Sequence, residues 1–329
     1  MPWPAEMGPE NVSSRLATVG LVGLVALNVV LVGVALRSNH TSGIDTSPVS
    51  PALASTGVAV SPSPTPSDTP STTATPTATA SATAAKSLAA PLQTMLVAVD
   101  NQRAWRVHAG SCSAGGATLA TTIDGGKTWS DAKAPLRMIV RVRPTDDQNA
   151  FIVGAGSSCA TELQSTADGG GTWGSLADVG NAWFRDPKDT KVVAAPGSST
   201  SRPCGARAVL DLAVISTGTA RVLCADGTTR STSDSGSSWT DSGKVTGAVA
   251  LAVLPANPDQ TYVARLNPRS CAGVQVQRVD QKDATACIAT AVPKGPGQIS
   301  LSLVDGGGWV AIGDQTMRST DGLVTWSRP

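Results

Sequence analysis

The sequence has few of the side chains that most enzymes use for acid–base chemistry. Its 329 residues include one tyrosine and two histidines, and only 3% of them are aromatic. Of the three glutamates, only Glu162 lies beyond residue 10. General acid–base catalysis needs such groups held within hydrogen-bond reach of the reacting atoms. Any mechanism that requires several of them is therefore tightly constrained.

Charge is also scarce along the chain. Charged residues make up 15% of the sequence, against about 25% in an average soluble domain. The 25 basic and 24 acidic side chains nearly cancel and leave a net charge of +1. Proteins that bind nucleic acid carry a broad positive field, so we expect no nucleic-acid partner.

The sequence lacks clear motifs for metals and cofactors. It has no Cys-x-x-Cys pair, a spacing that structural zinc sites commonly use. The segment Gly126-Lys127-Thr128 is similar to the end of a phosphate-binding loop, but Thr121 stands where that loop needs its first glycine. We therefore expect neither a metal ion nor a cofactor.

A long apolar run lies near the start of the sequence. Residues 16–36 are 21 residues without a charge, and a helix of that length would span about 32 Å, the thickness of a bilayer core. The apolar region of a secretory signal peptide is usually shorter and ends in small residues, whereas Arg37 follows here. This pattern predicts a transmembrane signal anchor after a short cytoplasmic segment, residues 1–15. A cleaved signal peptide is the alternative.

Residues 37–90 have the composition of a linker. Between residues 61 and 85, 24 of 25 residues are Ala, Ser, Thr or Pro, and such a tract cannot bury a core. It resembles the wall-spanning linkers of bacterial surface proteins, and we predict that it is disordered. The six cysteines beyond it suit an oxidising compartment. We therefore predict a single-pass protein of the cell membrane, with residues 91–329 extracytoplasmic.

Residues 91–329 contain one motif four times, at residues 122–129, 166–173, 232–239 and 319–326. The first copy reads TIDGGKTW and the last reads STDGLVTW. The aspartate can accept hydrogen bonds from backbone amides ahead of it, and glycine allows a positive φ. The tryptophan then begins a returning strand. Each copy therefore predicts a hairpin tip between two antiparallel strands.

The spacing of the motif predicts further units without it. The four aspartates are 44, 66 and 87 residues apart, and the last spacing is close to twice the first. Pairs of β-forming runs mark unit starts near residues 93, 137, 180, 211, 247 and 298. Six units of about 40 residues without helical periodicity predict an all-β fold, a β-propeller of about six four-stranded blades.

The motif resembles the Asp box of bacterial neuraminidase-type (BNR) repeats, found in sialidases, sortilin-type receptors and photosystem II assembly factors. The resemblance covers essentially all of residues 91–329 and implies that the boxes lock hairpins at a distance from the functional face. The residues that would hold this structural role are Asp124, Gly126, Trp129, Asp168, Gly170, Trp173, Asp234, Gly236, Trp239, Asp321 and Trp326. Function varies freely among such proteins, so the fold alone does not decide it.

A sialidase is the catalytic alternative that this resemblance offers. Sialidases are similar to one another in an Arg-Ile-Pro segment before the first box and in a tyrosine nucleophile paired with a glutamate. Here Arg103 and Arg106 precede Asp124, and neither is followed by Ile-Pro. Tyr262 and Glu162 would each be the single occupant of its catalytic role. We expect instead a half-buried strand tyrosine, a solvated glutamate and no catalysis.

The six cysteines all lie within residues 91–329 and allow 15 pairings, among which spacing does not choose. Proximity in the sequence suggests Cys112 with Cys159, Cys204 with Cys224, and Cys271 with Cys287. Arg137, Arg141 and Arg143 alternate in one strand region and so share a face. We expect that face to be solvated, with a small anionic site as the alternative.

These features favour a membrane-anchored, extracytoplasmic β-propeller that acts as a non-catalytic binding or assembly module at the bacterial cell surface. The expected partners are the membrane and a protein or glycan ligand. A sialidase-type exo-glycosidase is the alternative.

Overall fold

The structure is a computed structural model, and it describes residues 91–197, 199–266, 270–294 and 297–329. These residues form 21 β-strands joined by turns and loops. Within them, no helix has the length and the apolar character needed to cross a membrane. The predicted cytoplasmic segment, anchor and linker, residues 1–15, 16–36 and 37–90, lie outside the described residues and stay predictions.

The strands form six antiparallel sheets, each built from consecutive strands of the chain. The first sheet contains β1 (Thr94–Ala98), β2 (Ala104–His108), β3 (Thr118–Thr122) and β4 (Ser130–Ala132), and the second contains β5 (Met138–Pro144), β6 (Ala150–Ala155) and β7 (Thr161–Thr166). The third contains β8 (Phe184–Arg185), β9 (Val193–Ala195) and β10 (Ser199–Ser201), and the fourth contains β11 (Val209–Val214), β12 (Ala220–Cys224), β13 (Thr228–Thr232) and β14 (Thr240–Lys244). The fifth contains β15 (Ala248–Leu254), β16 (Asn257–Leu266), β17 (Gly273–Arg278) and β18 (Ala284–Ala289), and the sixth contains β19 (Ile299–Val304), β20 (Gly307–Ile312) and β21 (Gln315–Ser319).

The first strand of each sheet lies at the centre of the molecule. β1, β5, β8, β11, β15 and β19 contact one another in that order, and β19 contacts β1. We call these six the inner strands. Sheets arranged radially around such a ring form a β-propeller, so the all-β propeller part of the fold prediction is confirmed. Inner strands are buried over most of their length, and β15 accordingly reads as a nearly continuous apolar run, AVALAVL.

The prediction of four strands in every sheet is wrong for three of the sheets within the described residues. In the second and sixth sheets, the segment after the motif turn makes only an isolated bridge, Leu163 to Ala177 and Arg318 to Ser327. The third sheet has strands of two or three residues. Pro187, Pro196 and Pro203 flank those strands, and proline cannot donate a ladder hydrogen bond.

Side chains of the inner strands join neighbouring sheets. One edge of an inner strand has no strand partner, so its backbone N–H groups need other acceptors. The hydroxyls of Ser300 and Ser302 on β19 accept hydrogen bonds from the amides of Leu96 and Ala98 on β1, each at 3.0 Å. These contacts link the last sheet of the chain to the first.

Three disulfides join Cys112 to Cys159, Cys204 to Cys224 and Cys271 to Cys287. The suggested pairing is therefore confirmed. The first bond connects the loop after β2 to the loop after β6, so it links the first two sheets. No cysteine within the described residues is free.

Candidate functional site

The four motif turns share one hydrogen-bond pattern. In the first, the Thr128 amide donates to Asp124 Oδ1 at 3.0 Å and the Thr128 hydroxyl donates to Asp124 Oδ2 at 2.6 Å. The Thr122 hydroxyl donates to Asp124 Oδ1 at 2.9 Å and accepts from the Gly126 amide at 3.0 Å. The other three turns repeat these bonds around Asp168, Asp234 and Asp321. Each aspartate therefore holds its own turn closed.

The electrostatics of the turns follow from these bonds. Hydrogen bonds donated by the residue four positions later hold the pKa of each motif aspartate at about 2. The charged carboxylate is the form that accepts those bonds, so it is favoured over the neutral acid. The carboxylates of these aspartates are therefore engaged within their own turns.

The second glycine of a motif packs against the preceding sheet. Gly170 has a φ of +88°, and a Cβ there would lie 2.8 Å from the Cβ of Ala132. Gly126 and Gly236 similarly lie beside buried tryptophans, Trp309 and Trp183. The last motif carries Leu323 at this position, with a φ of +74° and a buried side chain.

The motif tryptophans are half-buried, and two of them, Trp173 and Trp239, make hydrogen bonds across the same interfaces between sheets. The indole N–H of Trp173 donates to the Lys133 carbonyl at 2.7 Å. Trp239 donates to the Ser201 hydroxyl at 3.0 Å and meets the Trp183 ring edge to face at 6.2 Å. Trp129 and Trp326 pack against apolar clusters of the core.

The two candidate catalytic residues lie in different sheets. Tyr262 is half-buried on β16 of the fifth sheet, and its hydroxyl donates to Gln260 Oε1 at 3.2 Å. Glu162 is half-buried on β7 of the second sheet, opposite Gly154 on β6. Their sheets are three positions apart in the ring. The fold does not bring them together.

The two arginines before the first motif are held by neighbours. Arg103 makes ion pairs with Asp100 at 2.5 Å and with Asp147 at 3.1 Å. Arg106 lies 4.4 Å from the centroid of the Trp129 ring and donates to the Asp314 carbonyl at 3.2 Å. It borders a cavity of about 370 Å³ between the first and sixth sheets. Burial lowers the pKa of Arg106, opposed by the nearby carboxylates.

A cavity of about 230 Å³ lies at the centre of the ring and is lined by the inner strands. We call it the central cavity. Leu92, just before β1, is buried and lines it, and the Leu92 amide donates to the Leu210 carbonyl at 3.1 Å. Leu210 belongs to the fourth sheet, three positions round the ring from the first. The chain therefore crosses and closes one end of the cavity.

The central cavity is more exposed at its other end. In β1, β11 and β15 the residues are buried near the N-terminal end of the strand, as at Met95 and Leu210, and partly exposed near its C-terminal end, as at Ala98 and Val214. The motif turns lie on that exposed side, because the Gly125 amide donates at 2.8 Å to the loop that follows β1. The open end therefore lies on the same face as the motif turns. The family resemblance instead implies a functional face at a distance from those turns.

The polar lining of the central cavity is mostly basic. It consists of Arg141, Arg143, Arg185 and Asp211 with the hydroxyls of Ser300 and Ser302. Arg185 is 7% exposed, and burial lowers its pKa, with a smaller opposing effect from the Asp211 charge. Burial also lowers the pKa of Arg141 to about 9, helped by the charge of Arg143.

Arg137 and Arg143 are exposed, as expected for a solvated arginine face, whereas Arg141 is held by its neighbours. The Arg141 side chain donates to the Trp183 carbonyl and lies 5.2 Å from the centroid of the Phe151 ring. Arg137 instead points to a loop and donates to the Ser113 carbonyl at 2.5 Å. Arg185 and Asp211 were not singled out from the sequence, although a lone aspartate in the apolar run VLDLAV was a usable signal.

The fold and the central cavity define a β-propeller. No family model and no curated protein matches this sequence. Solved structures similar to it include YCF48 bound to a D1 peptide, at 17% identity over 72% of this chain and 66% of that one, with a TM-score of 0.29. Another is the GH74 xyloglucanase from Xanthomonas campestris, at 12% identity over 73% and 49% of the two chains, with a TM-score of 0.25. The WD40 β-propeller domain of Doa1 is 12% identical over 69% and 91%, with a TM-score of 0.37.

The chain thus spans about two thirds of the first of these proteins and about half of the second. These similar structures include both a peptide complex and a glycosidase. The choice between binding and catalysis therefore rests on the residues of this chain.

Proposed function

We propose that this chain is a non-catalytic binding or assembly module, a six-bladed β-propeller held at the bacterial cell surface by the anchor at residues 16–36 and the linker at residues 37–90. The six sheets and the cyclic contacts of their inner strands support six blades. The ligand is a protein or a glycan of the cell surface, and the N-terminus is cytoplasmic.

The observation that carries the proposal is the chemistry of the central cavity. Asp211 is the single carboxylate among its lining residues, and both of its oxygens accept backbone N–H groups, from Leu212 and Leu251, at 2.8 Å. Glycoside hydrolysis uses two acidic groups, or a tyrosine with an acid, on either side of the bond to be cleaved. A recess with three arginines and one committed carboxylate favours binding.

The disulfides support the proposed location. Disulfides persist in oxidising compartments and are rare in the bacterial cytosol, and here three bonds use every cysteine of the sequence. Protease added to intact cells tests this location, with a tag placed after residue 329. We expect the tag to be lost from intact cells, and its full protection would contradict an extracytoplasmic propeller.

Binding and catalysis are separated by measuring both on the same purified full chain, kept oxidised in detergent. Immobilised chain is tested for saturable retention of cell-wall glycan fragments and of extracellular peptides from surface proteins. In parallel, fluorogenic sialosides are tested for hydrolysis. We expect retention of a ligand without turnover.

Two conservative variants give the hydrolysis test its control. Tyr262→Phe and Glu162→Gln keep the shape of the side chains and remove their nucleophilic and acid–base chemistry. Turnover by the unmodified chain that both variants abolish would replace the binding module with a sialidase. Turnover that survives both would point to a contaminating enzyme.

A further inference from the structure

Arg185 is a buried cation whose guanidinium has no protein partner in the described part of the chain. It lies on β8, is 7% exposed and lines the central cavity. Among the described residues, no oxygen accepts a hydrogen bond from it and no carboxylate forms an ion pair with it. A buried charge is costly unless it is paired and hydrogen-bonded. The side chain therefore presents unused donors to the cavity.

Asp211, the nearest opposite charge, leaves the guanidinium of Arg185 without a hydrogen-bond partner. Asp211 influences the pKa of Arg185 through its charge, but its two oxygens are held by the amides of Leu212 and Leu251. Burial raises the pKa of Asp211. The arrangement leaves Asp211 fixed on the cavity wall and Arg185 facing inwards.

The other arginines add to the positive charge of the cavity. Arg141 uses part of its guanidinium on the Trp183 carbonyl, and Arg143 is exposed toward the open end. Three arginines and one aspartate give the lining a formal charge of +2. The volume of about 230 Å³ is below the roughly 300 to 1,000 Å³ of drug-sized sites. Charge and size together select a small anion.

We propose that the central cavity binds a small oxyanion, with Arg185 as the main ligand-binding residue and Arg143 at the entrance. A planar guanidinium matches two oxygens of a carboxylate, phosphate or sulfate group. The ligand enters from the face of the motif turns, because Leu92 closes the other end. This inference rests on the proposed binding function, since it names the ligand class of the cavity on which that function is argued.

Isothermal titration calorimetry on the full chain tests the site, with sulfate, phosphate and succinate as separate ligands. Sodium chloride keeps the ionic strength constant, so that a screening effect does not pass for binding. We expect saturable binding of at least one ligand. Preference for succinate would indicate an organic carboxylate, and preference for sulfate or phosphate would indicate an inorganic oxyanion.

Three variants locate the binding. Arg185→Met is expected to weaken it at least tenfold, and Arg143→Gln about threefold. Arg207→Gln changes an arginine whose side chain is 62% exposed outside the cavity, and it should bind as the unmodified chain does. Absence of saturable binding, or an unchanged affinity in Arg185→Met, would overturn the proposal.

Thermal melting in chloride buffer gives a readout that does not depend on the ligand. If the guanidinium of Arg185 is unpaired when no anion is bound, Arg185→Met removes an unpaired buried charge. This variant should then melt at a higher temperature than the unmodified chain. Loss of folding in this variant would show that Arg185 serves the structure instead.

The anion site and the proposed function can fail separately. If the chain retained a surface ligand but bound no anion, the anion site alone would be refuted. If it bound an anion and also hydrolysed a sialoside, only the non-catalytic function would be refuted.

Discussion

Each motif aspartate satisfies donors that its turn would otherwise leave to water. Asp124 accepts from an amide and from two hydroxyls within seven residues of chain. These bonds need the charged carboxylate, which is why its pKa lies at about 2 instead of near 3.8. The same is true of Asp168, Asp234 and Asp321. Acid should therefore loosen all four turns together.

We predict a loss of stability between about pH 4 and pH 2. A carboxyl whose pKa is lower in the folded state stabilises the fold above its unfolded pKa, and this contribution is lost as the pH falls through the folded value. Melting temperature measured from pH 6 to pH 2 checks the prediction. Asp124→Asn should melt lower at neutral pH and show a flatter acid slope, whereas exposed Asp283→Asn should follow the unmodified chain. Parallel acid slopes in both variants would contradict it.

A turn glycine can be required for its positive φ or for close packing at its Cβ position, and a pair of variants separates these two requirements. Gly170 and Gly116 have φ values of +88° and +85°, but only Gly170 has atoms within 4 Å of the Cβ position. Alanine at either position costs about 1 to 2 kcal/mol of backbone strain. Gly170→Ala should cost a further 1 to 3 kcal/mol because it overpacks the interface with the first sheet. Urea unfolding of both variants measures the difference, and equal losses would show that packing against Ala132 is unimportant.

At the scale of elements, the sheets are joined by three kinds of contact. Side chains of one inner strand accept amides of the next, as Asp211 does from Leu251. Motif glycines and tryptophans pack against the preceding sheet. The Cys112 to Cys159 bond adds a covalent link between the first two sheets. Because each sheet contacts mainly its two neighbours, removal of a link should act locally.

The disulfide between the first two sheets should contribute more to stability than the one within the fifth sheet. Its cysteines are 47 residues apart, against 16 for Cys271 and Cys287. Chain-entropy estimates give about 4 and about 3 kcal/mol respectively. Paired Cys→Ser replacement of each bond, followed by denaturant unfolding, checks the order. A larger loss from the fifth-sheet bond would mean that native-state packing outweighs loop entropy.

At the scale of the whole molecule, the closed ring of six sheets determines which residues line the central cavity. The motif turns could be predicted because the aspartate, glycine and tryptophan act within eight residues of chain. The central cavity could not be predicted, because Arg185 lies on a strand of two residues and its surroundings come from other sheets. The third sheet was located from its runs of β-formers, but its three prolines shortened the strands below what those runs indicated.

The seam between the first and sixth sheets differs from the other sheet boundaries. Neighbouring sheets elsewhere are consecutive in the chain, whereas this seam joins the first strands to the last through contacts alone. Trp309 lies at its centre, fully buried, with its indole N–H donating to the Asp100 carbonyl at 2.9 Å. Trp183 is a matched residue elsewhere in the ring, 2% exposed and donating to the Thr217 carbonyl at 2.9 Å.

We predict that Trp309→Ala and Trp183→Ala each lower the free energy of unfolding by about 3 to 5 kcal/mol, as for other buried tryptophans, but open different parts of the ring. Hydrogen exchange reports the stability of each sheet separately. In Trp309→Ala, protection should fall first in β1 and in β19 to β21, because no chain connection holds that seam. In Trp183→Ala, the loss should centre on β8 to β14. If both variants lost protection uniformly, the ring would open only as one cooperative unit, and the seam would have no special weakness.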